Sequence, residues 1–304
     1  MHSDATTACE ELDVRGARVT ADVAGRGDDV VLCLHGFPDT RRTFRALLPT
    51  LARAGHRAVA PTLRGYEPAT ARGAADVTDL VDDVFATLDA LGVARAHLVG
   101  HDWGAIVAQL AAAREPARVR SLVSLAIPPL GALPAALARR PTRLLPLAYI
   151  LGFQLRARSV RALLARDMGA VDALWRRWSP GYELPDAERR ALHAALAAPG
   201  VMAAGVGYYR DLVALWRPRT RALHALSRRP VRVPALYLAG GRDGCVPASA
   251  FGPALAATRF TGAGELQTLA GAGHFLHLEQ PEAVARAVLA HLARAGQGGG
   301  APLP

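Results

Sequence analysis

Short apolar runs alternate with amphipathic stretches through the first 129 residues of the chain. Leu12 to Val14 and Val19 to Val23 read as an opening strand or hairpin within residues 10–24. Residues 29–34 are a continuous apolar strand, followed by helix signals from Thr43 to Ala54. Arg57 to Pro61 is the next strand. Asp76 to Leu91 predicts a helix, because Val77, Leu80, Val81, Val84 and Leu88 fall on one face. Ala96 to Val99 ends another strand, a helix begins by Ala105, and Val119 to Ile127 is a strand closed by Pro128 and Pro129.

At residue 130 the pattern changes, and residues 130–228 are helical in character with no convincing strand. Alternation resumes from Val231 to Ala239, a short strand is expected near Glu265 to Leu269, and a last helix runs from Pro281 to about Arg294. Strands alternating with helices imply an α/β class with a doubly wound, mostly parallel sheet. The helical block is then an insertion that caps the carboxyl ends of the strands, where sites form in such sheets. The expected organisation is a core over residues 1–129, a helical cap over 130–228, the rest of the core over 229–295, and a disordered tail over 296–304.

Composition narrows the partners more than the fold. An apolar fraction of 51% with 20% charged residues describes a globular chain of 304 residues. The most apolar run, Leu144 to Phe153, is too short for a membrane span and is flanked by arginine. The opening Met-His-Ser-Asp has no basic-then-apolar signal pattern, so a cytoplasmic location is expected. Cys9, Cys33 and Cys245 make no metal or redox pair by spacing, and Cys33 reads as buried in a strand. The net charge of +10 comes from arginine without any lysine. These arginines alternate with alanine and leucine at Arg139-Arg140, Arg156 to Arg166 and Arg217 to Arg232, as on solvated helix faces. No nucleic-acid motif accompanies them, so no nucleic-acid partner is expected.

The chemistry centres on Gly100-His101-Asp102-Trp103-Gly104, between a strand and a helix. It reads as a nucleophile elbow with an aspartate in the usual serine position. A carboxylate nucleophile attacks an sp3 carbon bearing a leaving group and forms an ester. A strained epoxide or a halide fits. Water must then hydrolyse the ester at the carboxyl carbon of Asp102. His274, in Gly271-Ala272-Gly273-His274-Phe275, is the candidate base, and Asp243, after a strand, is its candidate orienting acid. The backbone N–H groups of Phe37 and Trp103 would form the oxyanion hole. His35, Gly36 and Pro38 order the loop that carries Phe37, and His101 reads as structural.

An epoxide leaves as an alkoxide and needs directed donors, which phenols on the cap would supply. Tyr149, Tyr182, Tyr208 and Tyr209 all lie in the insertion, and position alone does not choose among them. A halide would instead draw on N–H donors such as the Trp103 indole together with a second indole or amide.

These residues resemble those of the epoxide hydrolases of the α/β-hydrolase superfamily, across residues 12–294. His35-Gly36-Phe37-Pro38 is similar to the family's oxyanion motif, Gly100 to Ala105 to its nucleophile motif, and Arg64-Gly65-Tyr66 to its Arg/Lys-Gly-Tyr turn. Gly273-His274-Phe275 and Glu279-Gln280-Pro281-Glu282 resemble the stretch that carries the base. Within the insertion, Tyr149-Ile150-Leu151-Gly152-Phe153-Gln154 and Tyr208-Tyr209-Arg210 resemble the segments that supply the two phenols. The resemblance therefore implies an α/β-hydrolase fold, Tyr149 and Tyr209 as donors, no cofactor or metal, and a small, apolar epoxide as substrate. It leaves monomer and homodimer open. Haloalkane dehalogenases share the His-Gly-x-Pro loop and the Asp-Trp-Gly elbow, and they are the alternative. A silent binding protein is a third reading, against which the full Asp102, Asp243 and His274 set speaks. Gly244-Cys245 after the acid departs from the commonest epoxide hydrolase sequence.

Overall fold

The structure is a computed structural model that describes residues 6–71, 76–132, 149–257 and 264–297. Eight strands form one sheet in the order β1-β2-β4-β3-β5-β6-β7-β8. β1 (Thr7–Val14) and β2 (Ala17–Ala24) are an antiparallel hairpin, turned through Arg15 and Gly16, and β2 pairs antiparallel with β4 (Arg57–Pro61). From β4 onward every pairing is parallel, through β3 (Val30–Leu34), β5 (Ala96–His101), β6 (Val119–Leu125), β7 (Ala235–Gly240) and β8 (Gly264–Leu269). Strands β3, β5 and β7 are buried along their whole length, which is why they read as unbroken apolar runs instead of alternating ones.

Helices cover both faces. On one side α1 (Leu47–Arg53) and α12 (Pro281–Gln297) pack Leu47, Leu48, Leu51, Val284, Val288 and Leu292 against Val31, Cys33, Val99 and Leu236. On the other, α2 (Val77–Ala90) and α3 (Trp103–Arg114) bury Leu80, Val84, Leu88, Val107 and Leu110 with Leu32, Leu98 and Leu122. Asp76 starts α2 as a capping box: its carboxylate accepts from the N–H groups of Thr78 and Asp79, and Asp79 reaches back to the N–H of Asp76.

Between β6 and β7 lie α4 (Tyr149–Phe153), α5 (Arg156–Leu164), α6 (Gly169–Trp178), α7 (Asp186–Ala197), α8 (Val201–Val213) and α9 (Pro218–Ser227). No strand occurs in the described part of this block. After β7 come α10 (Phe251–Ala257) and the short α11 (Leu276–Glu279). Among the described residues no single helix is long and apolar enough to cross a membrane.

Three expected boundaries move. The strand expected from Val231 begins at Ala235, because Pro230 and Pro234 bracket the Val231–Val233 stretch and a proline carries no donor for a ladder. The helix expected over Thr43–Ala54 is a short 3-10 turn (Arg41–Phe44) followed by α1. Helix α12 continues through Gly296 and Gln297, two residues into the stretch expected as a disordered tail. The remainder of that tail, Arg139-Arg140 and the first part of the Leu144–Phe153 run lie outside the described residues.

The tightest packing lies where α3 leaves β5. A Cβ at Gly104 would overlap the backbone carbonyl of Leu34 at the end of β3. Gly104→Ala should therefore cost about 3 kcal/mol through a forced separation of β3 and α3. Gly252→Ala, with nothing within 4 Å, should be neutral or stabilising. Urea unfolding midpoints of the two variants check this, and equal midpoints would disprove the tight contact.

Candidate active site

Sheet order puts β3 between β4 and β5, so chain direction diverges on either side of it and a crevice opens at the strand ends. Three loops meet there. The loop after β3 carries His35 to Asp39, the turn after β5 carries Asp102, and the loop after β7 carries Asp243. His274 arrives on the connection between β8 and α11.

Asp102 sits at φ 50°, ψ −119°, a conformation that an L-residue rarely adopts. It is held there from both sides. Its own carbonyl accepts from the N–H groups of Ala105 and Ile106, and a Cβ on Gly36 would collide with its side chain. The bend lifts the carboxylate off the helix axis and into the crevice, where Oδ1 accepts from the Phe37 N–H at 2.7 Å. Trp103 supplies the first N–H of α3 directly after it.

His274 is fully buried. Its Nδ1 lies 2.9 Å from Asp243 Oδ2, and its Nε2 faces Asp102 Oδ2 at 3.6 Å. The other Asp243 oxygen accepts from the N–H groups of Cys245 at 2.7 Å and Val246 at 2.9 Å. Asp243 thus orients the imidazole from one side, two backbone N–H groups hold Asp243, and Asp102 faces the other ring nitrogen as an ion pair.

His35 sits in the loop after β3. Its Nε2 accepts from the Leu63 N–H at 3.0 Å, which ties the β3 loop to the turn after β4. Burial pulls its pKa down to about 4, so it is neutral and able to accept. His101 serves the base's backbone, with Nε2 3.0 Å from the His274 carbonyl oxygen.

The four candidate tyrosines separate cleanly. Tyr208 donates to the Arg64 carbonyl and is tied to the core, while Tyr182 is partly exposed beside Trp175. Tyr149 and Tyr209 line one cavity of about 180 Å³ with Asp102 and Trp103. Its remaining walls are mostly apolar, with Ile106, Ile127 and Leu223 among them, and include Cys245, His224 and Ser227. The Tyr209 hydroxyl is buried without a hydrogen-bond partner at normal length, although Tyr149 and the Trp103 indole are near enough to influence it. Burial pushes both phenols above their ordinary pKa, so both carry their protons at neutral pH. A larger cavity of about 320 Å³, among Gln109, Pro129, Arg228 and Tyr237, touches neither Asp102 nor either of these phenols. Asp102, Tyr149 and Tyr209 share the smaller one.

Comparison with known proteins places the chain in a family. A family model described as alpha/beta hydrolase fold matches residues 29–281. Epoxide hydrolase A of Mycobacterium tuberculosis is 30% identical over 92% of this chain and 96% of its own. An epoxide hydrolase of Caballeronia sordidicola is 41% identical over 42% of this chain and 40% of its own. The crystal structure of epoxide hydrolase A from Mycobacterium thermoresistibile superposes with a TM-score of 0.70 at 28% identity, covering 95% of this chain and 98% of that one. The chain belongs to the epoxide hydrolase family of α/β-hydrolases.

One part of this hydrolase's site escaped the sequence reading. The Trp178 carbonyl at the end of α6 accepts both the His274 N–H and the Gly244 N–H, each at 3.0 Å. Ser179 Oγ accepts from the Phe275 N–H at 2.9 Å and donates to Glu279 Oε1 at 2.6 Å, while Glu279 Oε2 accepts from the Gly273 N–H at 2.9 Å. Two residues of the inserted block thereby clamp the acid loop and the base loop together. The only trace of this in the sequence is that an amphipathic helix stops at Trp178-Ser179-Pro180. Cys245 was missed as a cavity residue because nothing in its spacing marks where its side chain points.

Burial opposes a charge on His274, but Asp243 and Asp102 together outweigh it and raise its pKa to about 10. The folded pKa lies above the ordinary 6.5, so this contribution to stability is complete below about pH 6.5 and is lost as pH rises through 10. Histidine NMR titration should find His274 still protonated at pH 8. In Asp102→Asn, which keeps the shape and removes one of the two charges, its pKa should fall. An unchanged pKa would show that Asp102 does not hold the proton.

Proposed function

We propose that this protein opens an epoxide to a vicinal diol through an ester on Asp102. The observation that carries the reading is a carboxylate at a strained turn sharing one apolar cavity with two protonated phenols, Tyr149 and Tyr209. The curated relatives named epoxide hydrolases support it as well.

Each step follows from the residues. An Asp102 oxygen bonds to a ring carbon while the carbon–oxygen bond breaks, and the alkoxide takes a proton from a cap phenol. The apolar walls exclude water at this stage, so the directed O–H groups are the main stabilisers of the developing charge. Esterification removes the Asp102 charge, and with it one of the two carboxylates that keep His274 protonated. Its imidazolium then loses hold of its proton, which restores the phenol, and the neutral imidazole becomes the base for water. Water attacks the carboxyl carbon, and the oxyanion forms beside the N–H groups of Phe37 and Trp103. Asp243 holds His274 in the required tautomer throughout. The diol leaves, and both Asp102 and protonated His274 are regenerated. All atoms balance as epoxide plus water, and no step calls on a cofactor.

The same Asp102, His274 and Asp243 would serve carbon–halogen hydrolysis with Trp103 as halide donor. The cavity speaks for the epoxide, since it presents two phenols and no second indole: Trp175 donates to the Pro38 carbonyl, and Trp178 does not line the cavity. A parallel panel of aryl and alkyl epoxides and of chloro- and bromoalkanes tests the reading, with diol expected and halide absent. Halide release with inert epoxides would overturn it. His274→Gln should accumulate an adduct of protein mass plus substrate mass in intact-mass spectra. Tyr149→Phe and Tyr209→Phe should each lower ring opening by roughly a hundredfold, the usual worth of a general acid.

A further inference from the structure

Cys245 stands between the two halves of the site. Its backbone N–H donates to Asp243 Oδ1 at 2.7 Å, so its main chain is fixed to the acid that orients the base. Its side chain points the other way, into the cavity, where Sγ lies 3.7 Å from the Tyr149 hydroxyl, within the range of a sulfur hydrogen bond. The residue is 1% exposed. Beside Tyr149, with ring centroids 5.5 Å apart, Tyr209 is 2% exposed and its hydroxyl has no hydrogen-bond partner of normal length, which marks this wall as one built to receive a ligand oxygen.

We infer that Cys245 is a positioning residue for ring opening, its thiol holding the Tyr149 phenol so that the phenolic proton faces the substrate oxygen. The inference rests on the epoxide reading above and adds a role to it. In ring opening, the bond from Asp102 to carbon forms, the ring carbon–oxygen bond breaks and the Tyr149 proton moves to the alkoxide. The thiol keeps its own proton and donates a hydrogen bond to the oxygen that Tyr149 has uncovered. Cys245 forms and breaks no covalent bond.

A thiol in a cavity that binds alkylating substrates needs a reason not to be alkylated itself. The thiolate is the reactive species. Burial pushes the Cys245 thiol well above its ordinary pKa, and Asp243 and Asp102 push it the same way. Two nucleophiles thus share one cavity. Asp102 is the one that attacks, and the protonated sulfur is left to hydrogen bonding. The side chain also has to be small, because its backbone cannot retreat without releasing Asp243.

Single-turnover kinetics with enzyme in excess over an epoxide that the protein hydrolyses would test this, following ester formation and ester decay separately by intact mass. Cys245→Ala should slow formation about tenfold, the worth of one hydrogen bond, and leave decay unchanged. Cys245→Ser, which keeps a donor of similar shape, should return formation to within about threefold. In a Tyr149→Phe background Cys245→Ala should have little further effect, because the group it positions is gone. Unchanged formation in Cys245→Ala, or a full penalty persisting in the Tyr149→Phe background, would overturn the inference. So would an equal loss in both steps, the mark of a loosened fold. If the native protein hydrolyses epoxides but forms no ester, the reaction scheme itself fails, and the inference fails with it.

Discussion

The site depends on keeping two carboxylates and one imidazole together out of water. Ions without partners are costly to bury, and two like charges near one another are costlier still. Asp102 and Asp243 are tolerated because a protonated His274 lies between them, with each remaining carboxylate oxygen directed at backbone N–H groups. The surrounding loops exist to deliver those N–H groups. Phe37 comes from the end of β3, Cys245 and Val246 from the end of β7, and the strained turn at Asp102 is stable only because the glycines beside it let β3 and α3 approach so closely. Removing one partner from this set exposes the others as unpaired buried charges, so the three ionisable groups form one unit.

That unit is closed from the side of the inserted helices. Trp178 and Ser179 accept and donate four hydrogen bonds to the loops of Asp243 and His274, and Trp175 stacks flat on Phe275 at 3.5 Å while donating to the Pro38 carbonyl. The end of α6 is therefore part of the framework that holds the Asp243 and His274 loops, far from both in sequence. Tyr149 and Tyr209 hang from α4 and α8, where Tyr209 meets Phe37 and Trp103 edge-on, the neighbouring Tyr208 donates to the Arg64 carbonyl, and Tyr149 lies 3.7 Å from Cys245 Sγ. The insertion thus has one part that supports the base and another that presents the phenols.

What was legible in the sequence follows the same division. β3, β5 and β7 could be read because both faces are buried, so apolarity is continuous, and the elbow could be read because its glycines and its aspartate are adjacent. His274 and Asp243 were legible as residues at strand ends, although their partnership is a matter of topology and came through chain order. The choice of Tyr149 and Tyr209 over Tyr182 and Tyr208 came from the family resemblance. Hydrophobic spacing alone does not distinguish the Tyr208 hydroxyl on the Arg64 carbonyl from its neighbour in the cavity. Trp178, Ser179 and Cys245 stayed invisible because their roles rest on backbone carbonyls, one hydroxyl and one thiol whose partners are distant in sequence. The misplaced start of β7 has a different cause: Val231 and Val233 are apolar and buried as a strand would be, and only the flanking prolines argue otherwise.

The cavity's own composition bears on the order of events in the proposed reaction. An epoxide presents one polar atom, and the cavity meets it with phenols and a carboxylate in a lining that is otherwise mostly apolar. Apolar burial holds the substrate without orienting it, so orientation falls to the oxygen alone. The oxygen has to face the phenols, which turns a ring carbon toward Asp102. After ring opening the polarity of the contents changes, since a hydroxyl and an ester have replaced a strained ether. The charge on Asp102 has gone, and His274 can now hold a water against the ester. Admission of water is thus tied to consumption of the carboxylate's charge. The hydrolytic step is enabled by the alkylation that precedes it, with no need for a separate opening movement to time it.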